Sequence, residues 1–275
     1  MTHSAPLKTL GAQSARLVTE LHERRRMIFR LDDVREITGL SRNSARSLTH
    51  KLVARGVADR LRSGLYILAP SETGEHHYFG DPFVVARELM RGEDYYISHG
   101  SALEFHNMTT QPQLVITVSI PHPRRAIWIS GVEFRFVRCP REHFFGIVED
   151  WSTAEEKVRV SDLEKTVVDG LKQPQHCGGL TEVAKGLWMR RDDISVDRLI
   201  QYAQRLGVGA VARRLGYVLE TYEMASETDL ARLRAGLTET YVLVDPIRPR
   251  EGRRLHRWRL VLNVEPEELV AVVST

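Results

Sequence analysis

Apolar and polar positions alternate with two different periods along this 275-residue chain, and the change of period predicts its elements. In "SARLVTELHERRR", Leu17, Val18 and Leu21 fall on one side of a helix with the charges opposite. "MIFRL" is a short apolar run. "DDVREITG" has the acidic start and glycine stop of a short helix ending at Gly39. From Ser41 to Gly56 a second helix is predicted, with Ser41 as N-cap and Gly56 as its C-terminal stop. Ala45, Leu48, Leu52 and Val53 recur at helical spacing there and point inward. "VADRLRSGLYILAP" then reads as strand, turn and strand, with Arg62-Ser63-Gly64 at the tip. Two short helices joined by a glycine turn, followed by a basic hairpin, predict a winged helix-turn-helix over residues 1–70.

"SETGEHHYFG" (71–80) is a polar linker by composition, and residues 81–275 form a larger unit. Its first half is rich in strand patterns: "YYIS", "LVITVSI", "RRAIWI", "VEFRFVRC" and "EEKVRVS", with "DPFVVARELMRG" and "SALEFHN" as helices and Ser130-Gly131 as a tight turn. "SDLEKTVVDGL" carries a capping-box pattern, Ser161 with Glu164. Helical periodicity then dominates through "LTEVAKGLWMR", "VDRLIQYAQRL", "VGAVARRLGYVLETYEM" and "TDLARLRAGL". Two late strands, "TYVLVD" and "RWRLVLN", close the chain. The fold class expected is α+β, a winged helix followed by a mixed unit with a helical C-terminal half.

Charge sharpens the picture. The net charge of +3 is unevenly spread: Ser14 to Tyr66 holds twelve Lys/Arg against six Asp/Glu, leaving the rest of the chain acidic on balance. Such asymmetry points to a polyanion-binding module joined to one with another task. On the predicted second helix Asn43, Ser47 and His50 face away from the apolar stripe, with Arg46 and Lys51 on their flanks. Arg pairs with guanine O6/N7 and Asn with adenine N6/N7 in a major groove. Arg60 and Arg62 on the hairpin suit phosphate contacts. These seven residues are the candidate site for double-stranded DNA; the bland alternative is a winged helix used only for protein contacts.

Other chemistry is weaker. No apolar run approaches the roughly 20 residues of a membrane span, and "MTHSAPLKTL" lacks a secretory pattern. Cys139 and Cys177 stand far apart, which fits a reducing cytoplasm. His76 and His77 beside Glu75 lack partner ligands at metal spacing. Gly100-Ser101 evokes a nucleotidyltransferase start, but the strand after it, "LVITVSI", has no carboxylates to hold Mg²⁺. Ser98, His99 and Ser101 are expected to be helix-start caps rather than a nucleophile pair. Asp150 with Glu155-x-Lys157 matches a metal-dependent nuclease triplet, against a solvated strand edge as the ordinary explanation. Glu164, Lys165 and Asp169 are expected on a salt-bridged helix surface. His176-Cys177 sits in a loop opened by Gly178-Gly179. No cofactor, metal or enzymatic activity is expected.

Taken in order, "GLSRNSARSLTHKLVARG", "LRSGLYILAP", "DPFVVARELM", "YYISHGSALEFHNMTTQ", "RVSDLEKTVVDGL", "CGGLTEVAKGL" and "AVARRLGYVLE" resemble the AbiEi-type antitoxins of abortive-infection toxin–antitoxin systems. The likeness covers almost the whole chain. It implies a winged helix that represses its own operon at inverted repeats, with Arg42, Asn43, Arg46, His50 and Arg62 as the positions carried over. It also implies a C-terminal domain that neutralises a nucleotidyltransferase-like toxin encoded next door, and no catalytic residues. One winged helix per chain means two copies on an inverted repeat, as a dimer or as monomers placed by the DNA. The rivals are a winged-helix-targeted nuclease and a ligand-sensing repressor.

Overall fold

The structure, a computed structural model, describes residues 10–69, 80–111 and 114–273. All but the last residue of the predicted linker, with Glu75, His76 and His77, lies outside the described residues.

The N-terminal unit runs α1 (Ala12–Glu23), β1 (Ile28–Arg30), α2 (Leu31–Thr38), α3 (Arg42–Ala54), β2 (Ala58–Arg62) and β3 (Leu65–Leu68). Its three strands pair antiparallel in the order β1-β3-β2. Leu17 and Leu21 of α1, Val34 and Ile37 of α2, and Ala45 and Leu52 of α3 close a common core with Phe29 and Leu68. Burying each of the larger side chains among these is worth roughly 1.5–3 kcal/mol, so the apolar stripes, rather than helix propensity, set how the three helices meet.

The larger unit begins with α4 (Pro82–Leu89), whose N-cap Asp81 accepts from the Phe83 and Val84 amides at 2.9 Å. β4 (Tyr96–Ile97), α5 (His99–Phe105), β5 (Val115–Ile120), β6 (Ile127–Ile129), β7 (Val132–Arg138), β8 (Ile147–Trp151) and β9 (Lys157–Ser161) follow. The six strands form one mixed sheet in the order β6-β7-β5-β4-β9-β8. Parallel pairs β5–β7 and β4–β9 lie inside it, and antiparallel hairpins close both edges. Strand β8 was not expected: "IVEDW" is exposed along most of its length, so no buried alternation marked it.

Helices α6 (Leu163–Lys172), α7 (Leu180–Met189), α8 (Val196–Leu206), α9 (Gly209–Thr221) and α10 (Glu227–Arg234) match the predicted helical half. The end of the chain corrects the prediction. β10 (Val242–Leu243) and β12 (Leu260–Leu262) answer to the two late strands, but β11 (Arg253–Leu255) joins them and α11 (Pro266–Ala271) follows. Another correction concerns α6: its N-cap is Asp162, which accepts from the Lys165 amide at 2.7 Å, while Ser161 ends β9. Glu164 instead accepts from the Ser195 amide at 2.8 Å, tying α6 to the start of α8.

One face of the six-stranded sheet carries α4 and, beyond it, the N-terminal sheet. Ile28, Leu61, Leu65 and Ile67 share a core with Val84, Leu89, Ile97, Val118 and Val160. Polar contacts reinforce this joint. Asp33 of α2 pairs with Arg91 at 3.0 Å and Arg26 at 3.1 Å, and Arg30 donates to the Glu88 carbonyl. The opposite face meets α6, while α5 bridges the two cores, with Ala102 and Phe105 on the α4 side and Leu103 in the helical core around Trp258. Among the described residues no helix is long and apolar enough to cross a membrane.

Candidate nucleic-acid interface

Helix α3 is held at both ends by its own sequence. Gly39, at φ 70°, makes the turn from α2 where a side chain would be strained. The Ser41 hydroxyl accepts from the Ser44 amide at 3.3 Å. At the other end the Gly56 and Val57 amides donate to the Val53 and Leu52 carbonyls, both at 2.9 Å, satisfying the last turn in the Schellman manner. The inward face is Ala45, Leu48, Thr49, Leu52 and Val53. Thr49 escaped the apolar pattern. It is fully buried because its hydroxyl donates to the Ala45 carbonyl at 2.6 Å, which satisfies it without leaving the helix.

The outward face is as the spacing predicted. Arg42, Asn43, Arg46, Ser47, His50 and Lys51 are all exposed. So are Arg60 and Arg62, which flank the buried Leu61 where a bulge interrupts the β2–β3 ladder. Ser63-Gly64 forms the turn, with Gly64 at φ 79°.

The distribution of acids is as informative as that of bases. Glu20, Asp32, Asp33 and Glu36 lie on α1 and α2 and pair there with Arg24, Arg26 and Arg35. Helix α3 contains no acidic residue. Among the described residues, Arg42, Arg46, Lys51, Arg60 and Arg62 form no ion pair. Arg42 moreover stands in the first turn of α3, where the helix dipole disfavours a cation by about 0.3–1 kcal/mol. A helix surface selected only for solubility would place acids there. At thirteen residues α3 is about 20 Å long, and a helix fits the roughly 12 Å width of a major groove.

The remaining sequence candidates do not assemble into a second site. Asp150 pairs across the hairpin with Val158, and Lys157 with Trp151. Successive pairs alternate faces, so Asp150 and Lys157 project to opposite sides of the sheet, with Glu155 in the turn between them. Lys157 instead rests over the Trp151 ring at 4.6 Å.

Glu164, Lys165 and Asp169 overturn the expectation of a surface: all three are buried, Lys165 completely. Lys165 pairs with Asp169. The Tyr96 hydroxyl donates to Asp169 Oδ2 at 2.9 Å and lies 3.3 Å from both Lys165 Nζ and Cys139 Sγ. Burial holds the Cys139 thiol above its usual range. Helical spacing alone cannot reveal that two elements cover this face, the missing fact being the α6–β4 packing.

Ser98, His99 and Ser101 are likewise buried; Ser98 does stand at the N-cap position of α5, but its side chain makes no capping bond. Ser98 Oγ accepts from Ser119 at 2.8 Å and shares a hydrogen with His99 Nδ1 at 2.9 Å. Ser101 binds the backbone of β5, donating to the Val115 carbonyl at 3.1 Å and accepting from the Thr117 amide at 2.8 Å. Burial pushes His99 down to about 4. His176 packs edge-on against it with ring centres 5.3 Å apart, and burial pushes the Cys177 thiol up, so that pair is not an activated nucleophile. Among the described residues no three His, Cys, Asp or Glu side chains gather as a metal site.

No protein-family model and no curated protein matches this chain. Among solved structures it is similar to the crystal structure of the RV2827C protein from Mycobacterium tuberculosis. That likeness has a TM-score of 0.69 at 16% identity, over 98% of this chain and 97% of the other. It extends over both units and concerns the fold alone.

Proposed function

We propose that the N-terminal unit is a winged helix-turn-helix that binds double-stranded promoter DNA. In this reading α3 lies in the major groove and the β2–β3 hairpin is the wing. The observation that carries it is the acid-free outward face of α3 beside the basic tip of the hairpin, where five cations with no ion pair among the described residues surround Asn43, Ser47 and His50. Arg46 and Asn43 are the base readers; Arg42, Lys51, Arg60 and Arg62 neutralise phosphates.

The larger unit is proposed to act by protein contact, as an antitoxin that neutralises a nucleotidyltransferase-like toxin. That half rests on the resemblance to the AbiEi-type antitoxins. The chain would then repress its own operon, two copies sharing an inverted repeat.

Gel shifts on DNA from upstream of its own gene, across a salt series, test the DNA half. Arg46→Ala should lose about 1–3 kcal/mol on the preferred sequence and relax its preference. Lys51→Ala and Arg62→Ala should weaken binding to every DNA and reduce the salt slope by about one each. Equal losses from all three variants on any DNA would refute the division of roles. Co-expression with the adjacent gene tests the other half: growth arrest by the neighbour that this chain fails to relieve would refute the antitoxin assignment.

A further inference from the structure

Between α4 and the β8–β9 hairpin lies a cavity of about 420 Å³, beside the joint that fixes the N-terminal unit. Arg87 lines it from α4 and Arg91 from the turn after that helix, Lys157 and Arg159 from β9, and Met90 and Tyr95 give it apolar wall. Its acids are largely spent: buried Glu88 is held by Arg87 at 3.0 Å, and Glu93 by Arg124 at 3.2 Å. Glu149 is the remaining one.

Lys157 and Arg159 have no carboxylate partner among the described residues. Each is braced by an aromatic ring instead, Lys157 over Trp151 at 4.6 Å and Arg159 over Tyr95 at 5.9 Å. Such rings hold a cation in place without neutralising it. Tyr95 itself is buried, with its hydroxyl against the Arg159 backbone, which sets the ring beside that cation.

We propose that this cavity binds a small phosphate-bearing anion, and that the anion loosens the joint to the N-terminal unit. The volume suits a compact metabolite rather than a macromolecular chain. Arg91 is the link, since it lines the cavity and also holds Asp33 of α2 at 3.0 Å. An anion seated beside Arg91 draws its guanidinium from Asp33 and weakens the grip on the helix that carries α3. The binding half stands independently; its effect on DNA rests on the winged-helix proposal.

The test uses the full chain and inorganic pyrophosphate as probe. Calorimetry without DNA, at constant ionic strength, should show saturable binding. Lys157→Gln/Arg159→Gln should weaken it about tenfold or more, through two lost charge-assisted hydrogen bonds, while the wing variant Arg62→Gln leaves it unchanged. Absence of saturable binding, or equal binding by the double variant, would overturn the site. Saturating pyrophosphate should then lower operator affinity about fivefold or more in the wild type and not in the double variant. An equal effect on both proteins would mean simple competition with DNA phosphates and overturn the coupling. Failure of every protein to shift operator DNA would count against the DNA reader alone, since the calorimetry does not depend on it.

Discussion

Replacing Lys165 by Met should test how the core tolerates its buried charges. Lys165 is fully buried and Asp169 nearly so, and the pair is enclosed by Tyr96 and Phe145, whose ring centres lie 5.4 and 4.9 Å from the ammonium. Met reproduces most of the aliphatic stem, so little cavity is created. What is lost is the cation. Among the described residues Asp169 then keeps only the Tyr96 hydroxyl, at 2.9 Å. Stranding one partner of a buried pair costs about 3–5 kcal/mol, and the surviving hydrogen bond places this case near the lower end, about 3 kcal/mol. That is a large share of the roughly 5–15 kcal/mol by which a domain is stable.

Lys165→Met/Asp169→Leu removes both charges and should recover to within about 2 kcal/mol of the wild type. The Tyr96 hydroxyl would retain Cys139 Sγ at 3.3 Å. Asp169→Leu alone, stranding the ammonium, completes the cycle. Urea unfolding followed by circular dichroism, with m-values compared, supplies the four free energies. If Lys165→Met cost less than about 1 kcal/mol, or the double variant cost the sum of the singles, the picture of a mutually dependent buried pair would be wrong.

Other outcomes follow from the same contacts. His99, held down to about 4 against an ordinary value near 6.5, is neutral in the fold while the unfolded chain takes up a proton. Its contribution to stability is therefore full above about pH 6.5 and falls as the pH drops toward 4, by about 3 kcal/mol in all. Denaturation across that range should show the slope, reduced in His99→Asn, a residue that tolerates the φ of 53° at this position. An unchanged slope in that variant would assign the effect to other histidines. Gly216→Ala places a methyl 2.1 Å from the ring of buried Trp258 and should cost about 1–3 kcal/mol; an unchanged urea midpoint would mean the ring can give way. Ser41→Ala removes the α3 cap and should cost about 1 kcal/mol, read from the same midpoint.

What the sequence determined by itself was local. The caps and stops of α3, the turns at Gly39 and Gly64, and the split of α3 into apolar and polar faces depend on neighbours within about one helical turn. Periodicity sees that far, and Arg42, Asn43, Arg46, Ser47, His50, Lys51, Arg60 and Arg62 all emerge exposed as expected. The tertiary structure decided what covers what. Lys165 and Asp169 have the spacing of an exposed salt bridge, and only the packing of β4 and α6 takes them out of water. Asp150 and Lys157 are near in sequence, yet an unforeseen hairpin turns them to opposite faces. Arg91 and Asp33 stand 58 residues apart and meet only because the turn after α4 comes against α2. Such pairings join distant segments, so they depend on which apolar faces find each other, a property of the whole fold rather than of any one stretch.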